Sequence, residues 1–293
     1  MSLPRFRRST AAPRCLLQER DIALLEDLRR YRCLTTSQLE LLRGSDADPA
    51  LRFVSRLTLT RRLKLLFHGQ YVRRVARPST SGMLEPVYLL DREGARILSL
   101  RHGEVTVKAP SQSPKLAALE HLLGINSFRL SMEIGAQNTG YELAEWRGSD
   151  AAKFSVALDD GKRKQAAPRK VTLVPDAGFT LRVNGGRLFY FLEVDLGSEA
   201  SRILTEKCRA YRAFWQEGGF ARQYEVPPRA GFRVLFVAPT EKRLATILNA
   251  IGKLEVGQGI FQVALQDEMT PEKIFAPIWR DAVQEERRSR LAG

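Results

Sequence analysis

The chain has 293 residues, enough for two domains, and its 44% hydrophobic and 27% charged residues are those of a folded globular protein. It holds neither an 18-residue apolar run nor the apolar core of a signal peptide, and its three widely spaced cysteines exclude a disulfide framework or a CxxC metal site. The net charge of +14, from 47 basic and 33 acidic residues, favours a polyanionic partner, nucleic acid first, in the cytoplasm.

Residues 1–14 form a basic arm with Arg5, Arg7, Arg8 and Arg14. Ile22, Leu24, Leu25 and Leu28 recur at helical spacing among charges and predict a first helix over 19–32. Thr35 and Gln38 have the spacing of a capping box, and Leu39, Leu41 and Leu42 then build a short second helix that Gly44 stops. Leu59, Leu63, Leu66 and Phe67 form the inner face of a third helix, which begins somewhere between Asp48 and Thr58 and ends at His68 and Gly69. A strand over 71–75, a turn-rich tip over 77–83 and a strand over 85–90 follow. Asp91 caps a last helix through Ala95, Ile97 and Leu98.

This order, over residues 15–105, is that of a winged helix-turn-helix domain, which offers its third helix to the DNA major groove and its tip to neighbouring phosphates or the minor groove. The charge falls on those elements. Between residues 52 and 84 there are eight basic residues and no acid before Glu85. The candidate DNA contacts are Arg52, Arg56, Thr60, Arg61, Arg62 and Lys64 around the third helix, and Arg73, Arg74 and Arg77 on the wing. An arginine there reads guanine or clamps a phosphate, and sequence does not separate the two uses. A winged helix used for protein contacts is the alternative, against which the basic third helix and wing argue.

Residues 106–114 carry prolines and serines and read as a linker. A second domain over 115–280 opens with a helix over 115–134 and an alternating strand over 141–146. A basic segment follows, with Lys162, Arg163 and Lys164 as further DNA contacts. Strands over 171–182 and 187–195 are joined by a hairpin turn at Asn184, Gly185 and Gly186. A helix over 201–216 presents Leu204, Cys208, Tyr211 and Trp215 on one face. A strand over 231–239, a helix over 242–251, a strand over 261–265 and a charged tail over 281–293 complete the chain. The order is αβββαβ, then αβ.

Glu193 and Asp195 are two apart on a strand and so share a face. Counting through the hairpin places Asp176 almost opposite Glu193, so three acids converge at the end of two apolar strands. Such carboxylates suit a divalent ion, Mg2+ or Mn2+, which takes oxygen ligands, polarises a phosphate and activates water.

Val174-Pro175-Asp176 and Leu192-Glu193-Val194-Asp195, in this core order, resemble the PD-(D/E)XK nuclease superfamily. More narrowly, the layout resembles the replication-relaxation family of plasmids and other mobile elements. The resemblance rests on the basic winged helix and the segment His121-Leu122-Leu123-Gly124-Ile125-Asn126. A Pro-Asp strand follows, then a strand end with Leu192, Glu193, Asp195, Gly197 and Glu199, then a helix with Lys207 and Tyr211. It covers about 19–236 and implies an α/β (α+β) fold, a winged helix-turn-helix plus a restriction-endonuclease-like core. The implied role is in replication, DNA relaxation or transfer. The nuclease pattern has lysine where this chain has Asp195, and Lys207 is the candidate replacement. The candidate catalytic set is thus Asp176, Glu193 and Lys207, with Asp176, Glu193 and Asp195 around the metal. Tyr211 is an outside candidate for a relaxase-type nucleophile, although core packing explains it already. Glu120 and His121 are placed on the helix beside this site, the histidine as a satisfied, partly buried residue. No phosphate-binding glycine motif is present, which disfavours NTP hydrolysis.

Two functions stay open at this stage: a metal-dependent DNA nickase, and a non-catalytic DNA-binding regulator or replication accessory protein on a degenerate nuclease fold. Both take double-stranded plasmid or mobile-element DNA as partner, with a second copy of the chain or replication and mobilisation proteins as further candidates and no membrane.

Overall fold

The computed structural model describes residues 7–9, 15–80, 82–103, 107–112, 114–158, 169–197, 199–228, 230–254, 256–282 and 288–291. The expected DNA contacts Lys162, Arg163 and Lys164 lie outside the described residues. The fold is mixed α/β in two compact units, Met1–Asn126 and Ser127–Gly293, which divide inside a long helix, Leu116–Thr139, beyond the proline-bearing segment 106–114.

The first unit runs α1 (Glu19–Tyr31), β1 (Cys33–Thr35), α2 (Thr36–Gly44), α3 (Arg56–His68), β2 (Val72–Ser79), β3 (Gly82–Leu90) and α4 (Arg92–His102). The strands form one antiparallel sheet in the order β1-β3-β2. The spacing of Thr35 and Gln38 produces its capping box: Thr35 Oγ1 accepts from the Gln38 amide at 3.2 Å, and Gln38 Oε1 accepts from the Thr35 amide at 3.0 Å. Ser55, whose hydroxyl accepts from the Thr58 amide, sets the start of α3 that the sequence left open. Leu25 and Leu28 of α1, Leu39 of α2 and Leu59, Leu63 and Leu66 of α3 are each fully buried. Each such side chain contributes roughly 1.5–3 kcal/mol of transfer free energy.

Two details differ from expectation. β1 is a three-residue strand, too short to show a period in sequence, and it pairs Leu34 with Tyr88. The tip expected over 77–83 is mostly paired, because Arg77, Pro78 and Ser79 face Leu84, Met83 and Gly82 past a bulge between Val75 and Arg77. The basic arm contributes one anchor to this unit. Arg8 donates to Asp91 and, through Nε, to the Phe67 carbonyl at 3.1 Å. The first half of the long helix also belongs here: Leu119 and Leu123 pack on Cys33, Val87 and Leu89. Asn126 donates to the carbonyls of Tyr31 at 3.0 Å and Cys33 at 2.6 Å, where Arg32 takes a positive φ of 67° to end α1. That asparagine of the His121–Asn126 motif is a buried backbone clamp.

After α5 (Leu116–Thr139), the second unit continues with β4 (Glu142–Gly148), a short α6 (Ser149–Ala152), β5 (Phe154–Leu158) and β6 (Arg169–Leu173). Next come β7 (Ala177–Val183), β8 (Gly186–Val194), α7 (Ser201–Gln216), α8 (Gly219–Gln223), β9 (Arg233–Ala238), α9 (Glu241–Gly252), β10 (Phe261–Leu265), β11 (Trp279–Asp281) and β12 (Arg288–Ser289). One sheet has the order β12-β11-β10-β9-β8-β7-β4, antiparallel through β4, β7 and β8 and parallel through β8, β9 and β10. Read along the chain, α5, β4, β7, β8, α7 and β9 make the expected αβββαβ core. The strand expected over 171–182 is two strands. Pro175 has no N–H to donate to a ladder, so β6 leaves to pair with β5, a strand not foreseen, and β7 starts after Asp176. The hairpin turns on Asn184 (φ 48°) and Gly185 (φ 79°), the two left-handed positions of a type I′ turn. The core between sheet and helices is aromatic: Phe154 stacks on Phe214 at 3.9 Å, and Tyr211 lies 5.4 Å from Phe154 and 5.5 Å from Phe191.

Candidate functional site

The acidic centre of the second unit is built by the end of β8, the residue before β7 and two helices. The register that pairs Ala177 with Leu192 brings Asp176 to Glu193. Asp176 donates its amide to the Leu192 carbonyl at 3.0 Å and accepts the Val194 amide on Oδ2 at 2.7 Å, so it ties off the ladder where Pro175 interrupts it. Glu193 points toward α7. Its Oε2 accepts from Lys207 Nζ at 2.9 Å, and its Oε1 accepts from the Tyr211 hydroxyl at 2.6 Å. Lys207 also donates to Glu199 at 2.7 Å. The spacing of Lys207 and Tyr211, four apart on α7, lets both reach one carboxylate.

Asp195, just past β8, goes elsewhere. Its Oδ2 accepts from Arg243 Nε at 3.0 Å and Nη2 at 2.6 Å, and its Oδ1 accepts from the Gly197 amide. Arg243 lies in the first turn of α9, which Thr240 caps. Sequence reasoning missed Arg243 because an arginine 48 residues away carries no local signal.

Burial decides the electrostatics. The Glu193 side chain is 3% exposed and that of Lys207 21%, so burial disfavours the charged form of both. Burial, with the neighbouring Asp176 charge, raises the Glu193 carboxyl to about 7 against the opposing pull of Lys207 and Tyr211. Burial also disfavours the charged form of Lys207, but Glu193 and Glu199 outweigh it and hold its ammonium above the ordinary lysine value. Burial and then the Glu193 charge push the Tyr211 hydroxyl well above the ordinary tyrosine range, so it is a neutral donor in the core.

The second candidate surface is α3 of the first unit. Thr60 and Arg61 are exposed and Lys64 is half-exposed; with Leu57, 58% exposed, they fall at one-turn spacings on a single face. The side chains of Thr60, Arg61 and Lys64 make no hydrogen bond or ion pair with the described residues. Leu57 was not among the expected contacts, although its apolar side chain before a basic run was visible in sequence.

Several expected DNA contacts are instead engaged inside this unit. Arg62, one residue on from Arg61 and about 100° round the helix, makes a bidentate pair with the fully buried Asp21 of α1. Arg77 is bidentate to Glu120. Glu120 is therefore a partner of the β2–β3 hairpin. Arg56 pairs with Glu40 and Glu85, Arg52 donates to the Asp46 carbonyl, and Arg73 donates to the Pro110 carbonyl. Arg74 lies over the Tyr88 ring at 5.8 Å. The free basic face is narrower than eight charges suggested.

A family model described as replication-relaxation matches residues 25–229. The chain belongs to the replication-relaxation family. The matched span runs from α1 to past α8 and so includes Asn126, Asp176, Glu193, Lys207 and Tyr211, while Arg243 lies beyond it. No curated protein matches the chain. A solved structure, that of the restriction endonuclease FokI, is similar to it with a TM-score of 0.31 and 13% identity, covering 88% of this chain and 46% of that one. The chain thus spans less than half the length of that structure, and a likeness at this level bears no weight for the site.

In this member of the replication-relaxation family the acidic centre does not fit a divalent ion as it is arranged. Magnesium needs free carboxylate oxygens. Both oxygens of Glu193 are taken by Lys207 and Tyr211, and both of Asp195 by Arg243 and Gly197. Among the described residues no group of three His, Cys, Asp or Glu side chains could hold a metal. Asp195, expected as a third ligand, is an arginine acceptor. Among the described residues no helix is long and apolar enough to cross a membrane.

Proposed function

We propose that the protein binds double-stranded DNA of a plasmid or other mobile element in the cytoplasm and serves its replication, relaxation or transfer as a non-hydrolytic accessory or regulatory protein. The observation that carries this reading is the Thr60, Arg61 and Lys64 face of α3, cationic, open to solvent at Thr60 and Arg61 and half-exposed at Lys64, its side chains without partners among the described residues. In a winged helix-turn-helix that face enters the major groove, while the β2–β3 hairpin lies along the flanking backbone. Arg61 suits a guanine edge or a phosphate, and Lys64 a phosphate. The non-hydrolytic part is supported by the second unit, where Lys207, Tyr211 and Arg243 engage the carboxylates that a metal would use. There Glu193 fastens α7 to β8, and Asp195 fastens α9 to the strand end.

The experiment is paired. Binding to labelled duplexes is measured for the parent and for Arg61→Ala/Lys64→Ala, and nicking of supercoiled plasmid is measured with magnesium or manganese. The expected result is duplex binding that the double substitution strongly weakens, with no nicking. Duplex binding unchanged by the double substitution overturns the winged-helix reading. Nicking that stops in EDTA and in Glu193→Gln replaces the accessory reading with a hydrolytic one through Asp176, Glu193 and Lys207.

A further inference from the structure

A second feature of β8 lies at the opposite end of the strand from Glu193. β8 starts earlier than its parallel neighbour, and pairing with β9 begins only at Tyr190 and Arg233. Arg187, Leu188 and Phe189 therefore have no β9 partner. Beside them opens a cavity of about 330 Å³, lined among others by Arg187, Leu188, Phe189, Trp215, Phe232 and Arg233. That volume is within the range of small-molecule sites, roughly 300–1,000 Å³. At about 3.3 Å per residue, Leu188 is about 17 Å from Glu193 along the strand, so the cavity is separate from the acidic centre.

Its chemistry is specific. Trp215 closes α7 one turn beyond the buried Tyr211, yet it is 41% exposed, and Leu188 is 37% exposed. An exposed tryptophan and a rim leucine are an apolar surface left in water. Arg187 lies over the Phe189 ring at 5.6 Å and has no carboxylate partner among the described residues. Arg233 donates to a neutral carbonyl, that of Leu291, at 3.4 Å. No carboxylate is among the described residues lining the cavity. Flat aromatic surface beside cations that no acid neutralises matches a ligand with a π face and a negative charge in repeating order.

We propose that this cavity binds single-stranded DNA, with one base stacked on Trp215 and an adjacent phosphate on Arg187. A duplex hides its base faces inside the stack, whereas a single strand presents them, and aromatic stacking with a cationic groove is the general mode of strand binding without sequence preference. The site goes beyond the duplex reading of α3 and places a strand contact in the second unit.

The test uses the full chain and the fluorescence anisotropy of a labelled oligothymidylate, with a labelled duplex measured in parallel. Trp215→Ala weakens oligothymidylate binding by about tenfold or more, as expected for one lost stacking contact, and leaves duplex binding unchanged. Trp215→Phe retains most of the affinity because a ring remains, which separates lost stacking from lost folding. Arg187→Ala weakens strand binding and lowers its salt dependence. Arg61→Ala/Lys64→Ala does the converse, weakening duplex binding and leaving strand binding unchanged. Oligothymidylate affinity unaffected by Trp215→Ala and Arg187→Ala overturns the site. So does an equal loss of strand binding in the α3 variant, which would place both ligands on one surface. Failure of duplex binding alone removes the α3 reading and leaves this one standing.

Discussion

The α3 face of the first unit and the acidic centre of the second are both dense in charge, and they treat it in opposite ways. On α3, Arg61 is exposed and Lys64 half-exposed, with no counter-charge among the described residues. At the end of β8, Glu193 and Asp195 are each closed by a cation from a helix packed on the sheet. Exposed unpaired cations are available to a polyanion, and their mutual repulsion is relieved when it binds. Buried paired charges hold the fold, because separating them leaves a desolvated ion. A single step along α3 shows the same division, since Arg62 is 15% exposed and closed on Asp21, whose side chain is fully buried.

The largest effect is expected where that contrast is sharpest. Arg62→Ala leaves Asp21 buried without its partner and destabilises the protein by about 3–5 kcal/mol, whereas Arg61→Ala changes stability by no more than about 0.5 kcal/mol. Urea denaturation of the two variants measures both, and equal losses would erase the distinction between the neighbours.

The acidic centre has a pH signature. The Glu193 carboxyl is raised by burial to about 7 from 4.5. The folded state therefore holds a proton in this interval that the unfolded state has released. Stability from this group is full below about pH 4.5 and is lost as pH rises through 7, with a slope of at most about 1.4 kcal/mol per pH unit. Glu193→Gln cannot ionise, so thermal melts of that variant between pH 5 and 8 flatten relative to the parent. A parallel pH dependence in the two proteins would mean that Glu193 is not the titrating group.

DNA binding probes the other side of the comparison. Each phosphate neutralised contributes about −0.9 to the log–log salt slope, so Arg61→Ala/Lys64→Ala makes the duplex slope shallower by about two units. Arg62→Ala, measured where it is still folded, leaves the slope unchanged. A small effect on stability, between those of Arg62 and Arg61, is expected at Arg56, which pairs with Glu40 on the surface at 47% and 42% exposure. Arg56→Ala costs no more than about 1 kcal/mol.

Much of this architecture is legible in the chain. The spacing of Ile22, Leu25 and Leu28, the Thr35 and Gln38 box, and the Asn184 and Gly185 turn are local rules, and each produces its element. The hairpin count that set Asp176 opposite Glu193 holds because a strand has a fixed period and the turn has two residues. The segments that escaped are short ones without a long period, β1, β5, α6, α8, β11 and the two-residue β12 inside the expected charged tail, and the break at Pro175, where an apolar run hides a change of partner strand. At the acidic centre the acids and Lys207 were visible, and the closure of Asp195 by Arg243 was not.

By itself the sequence determined the inventory and the order: a basic helix before a hairpin, a Pro-Asp before a hairpin, a carboxylate strand end before a helix with lysine and tyrosine. Those features depend on neighbours within a few residues, where backbone period and capping act. Tertiary structure alone decided which charges are neutralised. Arg62 meets an aspartate 41 residues away, and Arg61 meets none among the described residues. Asp195 meets an arginine 48 residues away. An ion pair depends on the distance between side chains in space, and for elements remote in the chain that distance is set by how helices pack on a sheet.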